Sequence, residues 1–302
     1  IFLLFSAGIT FYIVYDKYKV TNGLAQTEAQ NTIFSPGNKK AFLQSQGQTI
    51  DLTREFQLEN EDGTVISNNL QGVVTFEKNK EKVNKEDVIY HTLNVPKGGE
   101  YELILADGSK VFLNSETIIT FPSRFDEDTR EVKLIGEAFF EIQKSTKPFI
   151  VQTANTNIKV LGTTFNVSAY KDEAYTTTLV EGSVRIYTSD EEAADSFLLK
   201  PGQNLFMDTS SEKVLIQKVD TDIYTAWVKG KFIFKNQSLD EILNRLSRWY
   251  DFTIEYEDPR IKQMKFTGSA EKARTLDYLL NLIEAVTDVR YRSEGNKIIM
   301  HK

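Results

Sequence analysis

Three places in this chain set residue types at a spacing that could do chemistry. The first is Gly162-Thr163, where a hydroxyl follows a glycine directly. The Thr163 oxygen can attack the Gly162 carbonyl and exchange the amide for an ester, and glycine leaves that carbonyl unshielded and tolerates strained angles. A glycine serving a bulge or a tight approach, followed by an ordinary strand threonine, has the same sequence. No activating base can be named. The second place is Glu137 and Glu141, two carboxylates on one face of a strand around Phe139. Four residues of strand set them about 13 Å apart, beyond the roughly 5 to 9.5 Å that glycosidases use. They read as an exposed acidic edge opposite buried Ala138, Phe140 and Ile142. The third is the pair of histidines, His91 on a strand-like run and His301 beside the end, the only two in the chain.

The absence of cysteine excludes disulfides, zinc-thiolate sites and thiol nucleophiles together. No phosphate loop, dinucleotide fingerprint, nucleophile elbow or calcium-loop spacing occurs. The expectation is a protein without enzymatic turnover, cofactor or metal. A net charge of -7 over 302 residues, with no cluster of Lys and Arg, argues against a nucleic-acid partner.

The elements that must position these residues are mostly strands. Tyr101, Leu103 and Leu105 alternate before Asp107-Gly108, and Val111 and Leu113 follow, which is the pattern of a half-buried hairpin. Pro36-Gly37 with Phe42-Leu43, Gly47 and Ile50-Asp51-Leu52 echoes Pro96-Lys97-Gly98-Gly99 with Tyr101, Gly108 and Val111-Phe112-Leu113. The echo suggests a repeated hairpin unit. Phe56 to Leu58 and Val65-Ile66 flank a further turn at Glu61-Asp62-Gly63. Strands are predicted at Val132 to Leu134, Ala138 to Ile142, Phe149 to Val151, Ile158 to Val160, Phe165 to Val167, Thr177 to Val180 and Val184 to Tyr187. No helical period occurs between Asn31 and Asp220, so residues 35–222 read as an all-β sandwich or β-roll.

After Trp227 the pattern changes. Ser238-Leu239-Asp240-Glu241 is a capping box opening a helix with Leu239, Ile242, Leu243, Leu246 and Tyr250 on one face. Strands at Phe232 to Phe234 and Phe252 to Tyr256 flank it. A second set follows: Met264 to Thr267, a helix carrying Leu276, Leu279, Leu280, Ile283 and Val286, then Val289 to Arg292 and Ile298 to Met300. Residues 223–302 are thus expected to form a separate α+β domain of two β-α-β units. Before the β region, Ile1 to Tyr15 is uncharged and apolar, with Tyr12, Tyr15, Lys17, Tyr18 and Lys19 resembling an interfacial belt. Residues 1–19 read as the end of a transmembrane helix and 20–34 as a juxtamembrane stem.

Five motifs occur in order: Leu105 to Asn114, Gly136-Glu137-Ala138-Phe139-Phe140-Glu141-Ile142, Lys147-Pro148-Phe149-Ile150-Val151, Val160 to Val167, and Thr178-Leu179-Val180-Glu181-Gly182-Ser183-Val184. In this order and spacing they resemble the FecR family of periplasmic sensor domains on transmembrane anti-sigma factors, and the C-terminal part resembles the secretin/TonB short N-terminal fold. The resemblance implies a single-pass inner-membrane protein with residues after about 20 in the periplasm. It further implies a partner, the N-terminal signalling domain of a TonB-dependent outer-membrane transporter, and control of an extracytoplasmic-function sigma factor through a cytoplasmic domain missing from this sequence. Some family members cleave themselves at a Gly-Thr pair in the motif that Gly162-Thr163 matches. The partner-binding candidates are Trp227, Phe232, Phe234 and Trp249, with Trp249 beside the apolar helix face and so partly exposed. The alternative from another class is a periplasmic or cell-surface glycan-binding β protein, which would show aromatic platforms.

Overall fold

The computed structural model describes residues 34–60, 62–78, 88–188, 196–208 and 213–302. The expected transmembrane segment, the stem before Phe34 and most of the acidic loop at 189–196 lie outside the described residues. Among the described residues, no helix is long and apolar enough to cross a membrane.

Nineteen of the described strands form one hydrogen-bonded system, which divides into two curled sheets joined through a single strand, Arg130–Glu141. Its first half pairs with Thr117–Pro122 and, in parallel, with Phe149–Gln152 in one sheet. Its second half pairs with Lys110–Leu113 and Thr164–Ala169 in the other. The two predicted strands at Val132 and Ala138 are therefore one, turning between sheets at Gly136. That glycine has φ +100°, and a Cβ there would stand 2.5 Å from Thr117 Oγ1 and 2.7 Å from the Glu116 carbonyl. Only a residue without a side chain fits the turn.

The sheets curl as a half-barrel around an apolar core that includes Leu43, Ile66, Leu93, Leu103, Val111, Phe140, Phe149, Phe165 and Leu179. The Asp107-Gly108 hairpin forms as expected, with Leu103 opposite Val111. Asp107 accepts from the Ser109 amide at 3.0 Å and pairs with buried Arg130 at 2.7 Å. Arg130 also donates to the carbonyls of Gln143 and Lys147, so it ties the turn to the next loop. The echoing hairpin, Phe42–Ser45 with Gln48–Asp51, also forms, but in the other sheet, against Tyr90–Val95.

The C-terminal part is a small α+β region. A short helix α1 (Asp222–Thr225) and a 3-10 turn (Ala226–Lys229) lead into it. Helix α2 (Leu239–Tyr250) opens with the capping box read from sequence: Ser238 accepts from the Glu241 amide at 3.3 Å, and Glu241 accepts from the Ser238 amide at 2.8 Å. Helix α3 (Leu276–Val286) is capped by Thr275. The pairing differs from two self-contained β-α-β units. Lys231–Ser238 pairs antiparallel with Lys265–Glu271, while Thr253–Tyr256 runs parallel to Lys297–His301, itself antiparallel to Arg290–Glu294. Interleaving the halves gives the apolar faces of α2 and α3 one shared core, larger than either half could close alone.

Candidate functional site: a charged seam between the two units

The outer face of the second sheet carries a row of cross-strand neighbours running Phe112, Phe139, Asn166, Thr178 and Asn204. In a one-sided sheet these positions would be wet. Here Phe139, Asn166, Thr178 and Asn204 are all buried, and the C-terminal region reaches the row at Asn166 through Trp227 and at Asn204 through Tyr224. The burial along Arg130–Glu141 shows the change: inward and outward positions alternate as far as Ile135, then five successive residues are buried.

Glu137 stands beside this row, and the expected exposed acidic edge is corrected accordingly. Only Glu141 is exposed; Glu137 is 9% exposed and accepts from Asn114 Nδ2 at 2.7 Å and Asn166 Nδ2 at 3.0 Å. Asn166 Oδ1 in turn accepts from the Trp227 indole at 3.1 Å, so one amide ties the carboxylate to the C-terminal region. Both Glu137 oxygens are engaged by amides, which leaves this carboxylate a structural role.

Around Glu137 the two units meet with opposite charges. The β-unit supplies Glu100, Glu137 and Glu173; the C-terminal unit supplies Arg245, Arg248 and Lys272. Lys272 Nζ lies 2.7 Å from Glu100, which also holds Lys39 at 3.0 Å. The ammonium stands 3.8 Å from the Trp249 ring centroid and within 6 Å of the Trp227 and Phe232 centroids, an aromatic cage for an internal cation. Burial draws the Lys272 amine below its usual range. Burial would raise the Glu100 carboxyl, but Lys272 and Lys39 outweigh it and hold it low. Arg248 pairs with Glu173 at 2.6 Å and covers the Tyr170 ring at 4.0 Å. Arg245 lies over Phe232 and Phe234, and its Nη2 is buried with no partner among the described residues.

Backbone closes the seam. The Gly98 amide donates to the Arg248 carbonyl at 2.7 Å, at the end of α2. Gly37 packs so closely on Trp249 that a Cβ would stand 2.6 Å from the ring. The loop glycines of the two echoing hairpins are therefore the saddle for α2. The apolar cores of the two units remain separate, and the contact between them is polar and aromatic.

Trp227, Phe232, Phe234 and Trp249 are brought together here, but all four are at most 5% exposed. The Trp249 indole donates to the Lys272 carbonyl at 3.0 Å. The expectation of a partly exposed Trp249 is overturned because the saddle covers the side of α2 that its own unit leaves open. Sequence reasoning missed Glu100, Glu173, Arg245, Arg248 and Lys272. Each reads as a surface charge, and no local signal pairs them across up to 172 positions.

Gly162-Thr163 lies elsewhere, in a recess with Leu161, Gly182, Ser183 and Arg185. The Thr163 hydroxyl donates to the Ser183 carbonyl at 3.0 Å, a bond that supplies no base. A Cβ on Gly162 would stand 2.7 Å from Lys144 Cα, so tight packing accounts for the glycine. Among the described residues no group of three or more His, Asp or Glu side chains is placed to hold a metal.

A two-part architecture of this kind, a curled β-unit bearing a docked α+β unit, is matched by known proteins. The FecR protein family model matches residues 91–185, and the model "FecR, C-terminal" matches residues 231–300. The chain belongs to the FecR family. Two crystal structures of a candidate anti-sigma factor from Parabacteroides distasonis ATCC 8503, at 1.65 and 2.50 Å resolution, are each 29% identical to it with a TM-score of 0.65. The matches cover 70% of this chain and 98% and 99% of theirs. No curated protein matches the chain.

Proposed function

We propose that this chain is the periplasmic sensor part of a transmembrane anti-sigma factor. Its C-terminal unit receives the signalling domain of a TonB-dependent outer-membrane transporter, and the contact controls release of an extracytoplasmic-function sigma factor. The anchor would be the inner-membrane segment at residues 1–19, with the stem at 20–34, the β-unit at 35–222 and the receiving unit at 223–302.

The observation that carries the reading is the open side of the C-terminal unit. Lys265–Glu271 pairs with one strand only among the described residues, and its inward face of Phe266, Gly268 and Ala270 is half-buried. Beside it an apolar recess of about 200 Å³ runs between that strand and α3, with Val286 68% exposed at its edge. A strand added to the free edge would gain main-chain hydrogen bonds and place an apolar side chain in the recess. Trp227, Phe232, Phe234 and Trp249 act in this reading by holding the receiving unit on the β-unit. Self-cleavage at Gly162-Thr163 has no part in it.

Titration with the isolated signalling domain of the cognate transporter tests the proposal. Val286→Asp, which puts a charge at the recess, should weaken binding at least tenfold without moving the unfolding midpoint. Binding that is saturable and indifferent to this change would sink the docking site.

A further inference from the structure

Phe34 is the first described residue, and by sequence it ends the stem that leads directly into the β-unit. It is nevertheless buried in the core of the C-terminal unit, with its ring edge-on to Phe252 at 5.8 Å between centroids. The next residues run back along the seam. Gly37 lies against the Trp249 ring, and the Asn38 amide donates to the Gly98 carbonyl at 2.9 Å. Lys39 pairs with Glu100, the carboxylate that also holds Lys272. The chain at 34–39 is therefore gripped by both units, and its one aromatic anchor is seated in the C-terminal one.

We propose that Phe34 is a plug through which the C-terminal unit controls the chain that precedes it. Coupling of this kind is reciprocal: a ligand that binds the C-terminal unit more tightly with Phe34 seated than unseated stabilises the seating by that same difference in free energy, and one with the opposite preference releases it. A ligand of the receiving unit thereby acts on the segment before residue 34, with no wire through the β-unit. The consequence for signalling rests on the function proposed above; the plug itself does not.

The test uses the whole chain and no partner, so it stands or falls separately from transporter binding. The chain has no cysteine, so Ser35→Cys gives a unique site for a spin label. Hydrogen exchange of α2, α3 and the Arg130–Glu141 strand is followed in parallel. Phe34→Ala should mobilise the label and raise exchange in α2 and α3 at least tenfold, with the Arg130–Glu141 strand unchanged. Phe34→Leu, which refills most of the site, should restore both. A mobilised label with unchanged exchange in α2 and α3 would overturn the proposal, since the unit would not sense the plug. Loss of protection in the β-unit instead would also overturn it, by making Phe34 an ordinary strap of that unit.

Discussion

Glu100 and Lys272 form one ion pair, yet the two single substitutions that break it should differ in severity. Lys272 is 3% exposed at its side chain and has Glu100 as its carboxylate partner. Glu100 is 22% exposed and keeps Lys39 at 3.0 Å when Lys272 is removed. Breaking a buried pair by deleting one partner costs about 3 to 5 kcal/mol, because the other charge is left without compensation. Glu100→Gln fits that description and should cost about 3 kcal/mol. Lys272→Met retains most of the stem and leaves Glu100 paired, so about 1 to 2 kcal/mol is expected, including the lost attraction to the Trp249 ring. The double variant should fall near Lys272→Met, well short of the sum of the singles, since neither charge is then orphaned. Chemical denaturation at pH 7 followed by tryptophan fluorescence is the natural assay: the chain has two tryptophans, Trp227 and Trp249, and both lie at the seam. Equal costs for the singles, or a double variant that equals their sum, would refute the reasoning.

The buried His91 ring packs on Phe76 and Phe121 with neither nitrogen hydrogen-bonded among the described residues, and burial pushes its pKa down to about 4. The unfolded chain takes up the proton first, so stability should fall as pH drops from about 6.5 to about 4 and level below, by about 3 kcal/mol in all. His91→Leu should remove that part of the pH slope in urea titrations across the interval, and an unchanged slope would contradict this. Gly136→Ala combines a positive φ with contact against Thr117 and Glu116, and should lose about 2 to 3 kcal/mol in the same denaturation experiment. Ser238→Ala removes the α2 cap and should cost about 1 kcal/mol, read as the shift in midpoint of the C-terminal unit.

Local patterns carried the elements well. The Asp107-Gly108 turn, the capping box at Ser238 and the apolar face of α2 are set by neighbours in sequence, and each is found where its residues place it. The pairing of the C-terminal strands was not legible, because two β-α-β patterns and their interleaved form share the same order of elements. The seam was hidden for a different reason. Glu137, Asn166, Thr178 and Asn204 occupy outward positions with polar side chains, which is what a solvated face also requires. The unit folded from residues far downstream packs against that face at Asn166 and Asn204, and Trp249 changes from half-wet to buried because the glycine saddle of the β-unit covers it in return.

The Arg130–Glu141 strand belongs to both sheets, and this bears on how the β-unit comes apart. A sheet that owned all its strands could fray while the other stayed closed. Here, withdrawing the shared strand removes a central ladder from both at once, so the curled sheets should open as one cooperative block. The C-terminal unit, whose apolar core is separate, can open as a unit of its own. The molecule thus joins a β-unit that opens as one block to a C-terminal unit whose core can open without breaking a ladder of either sheet.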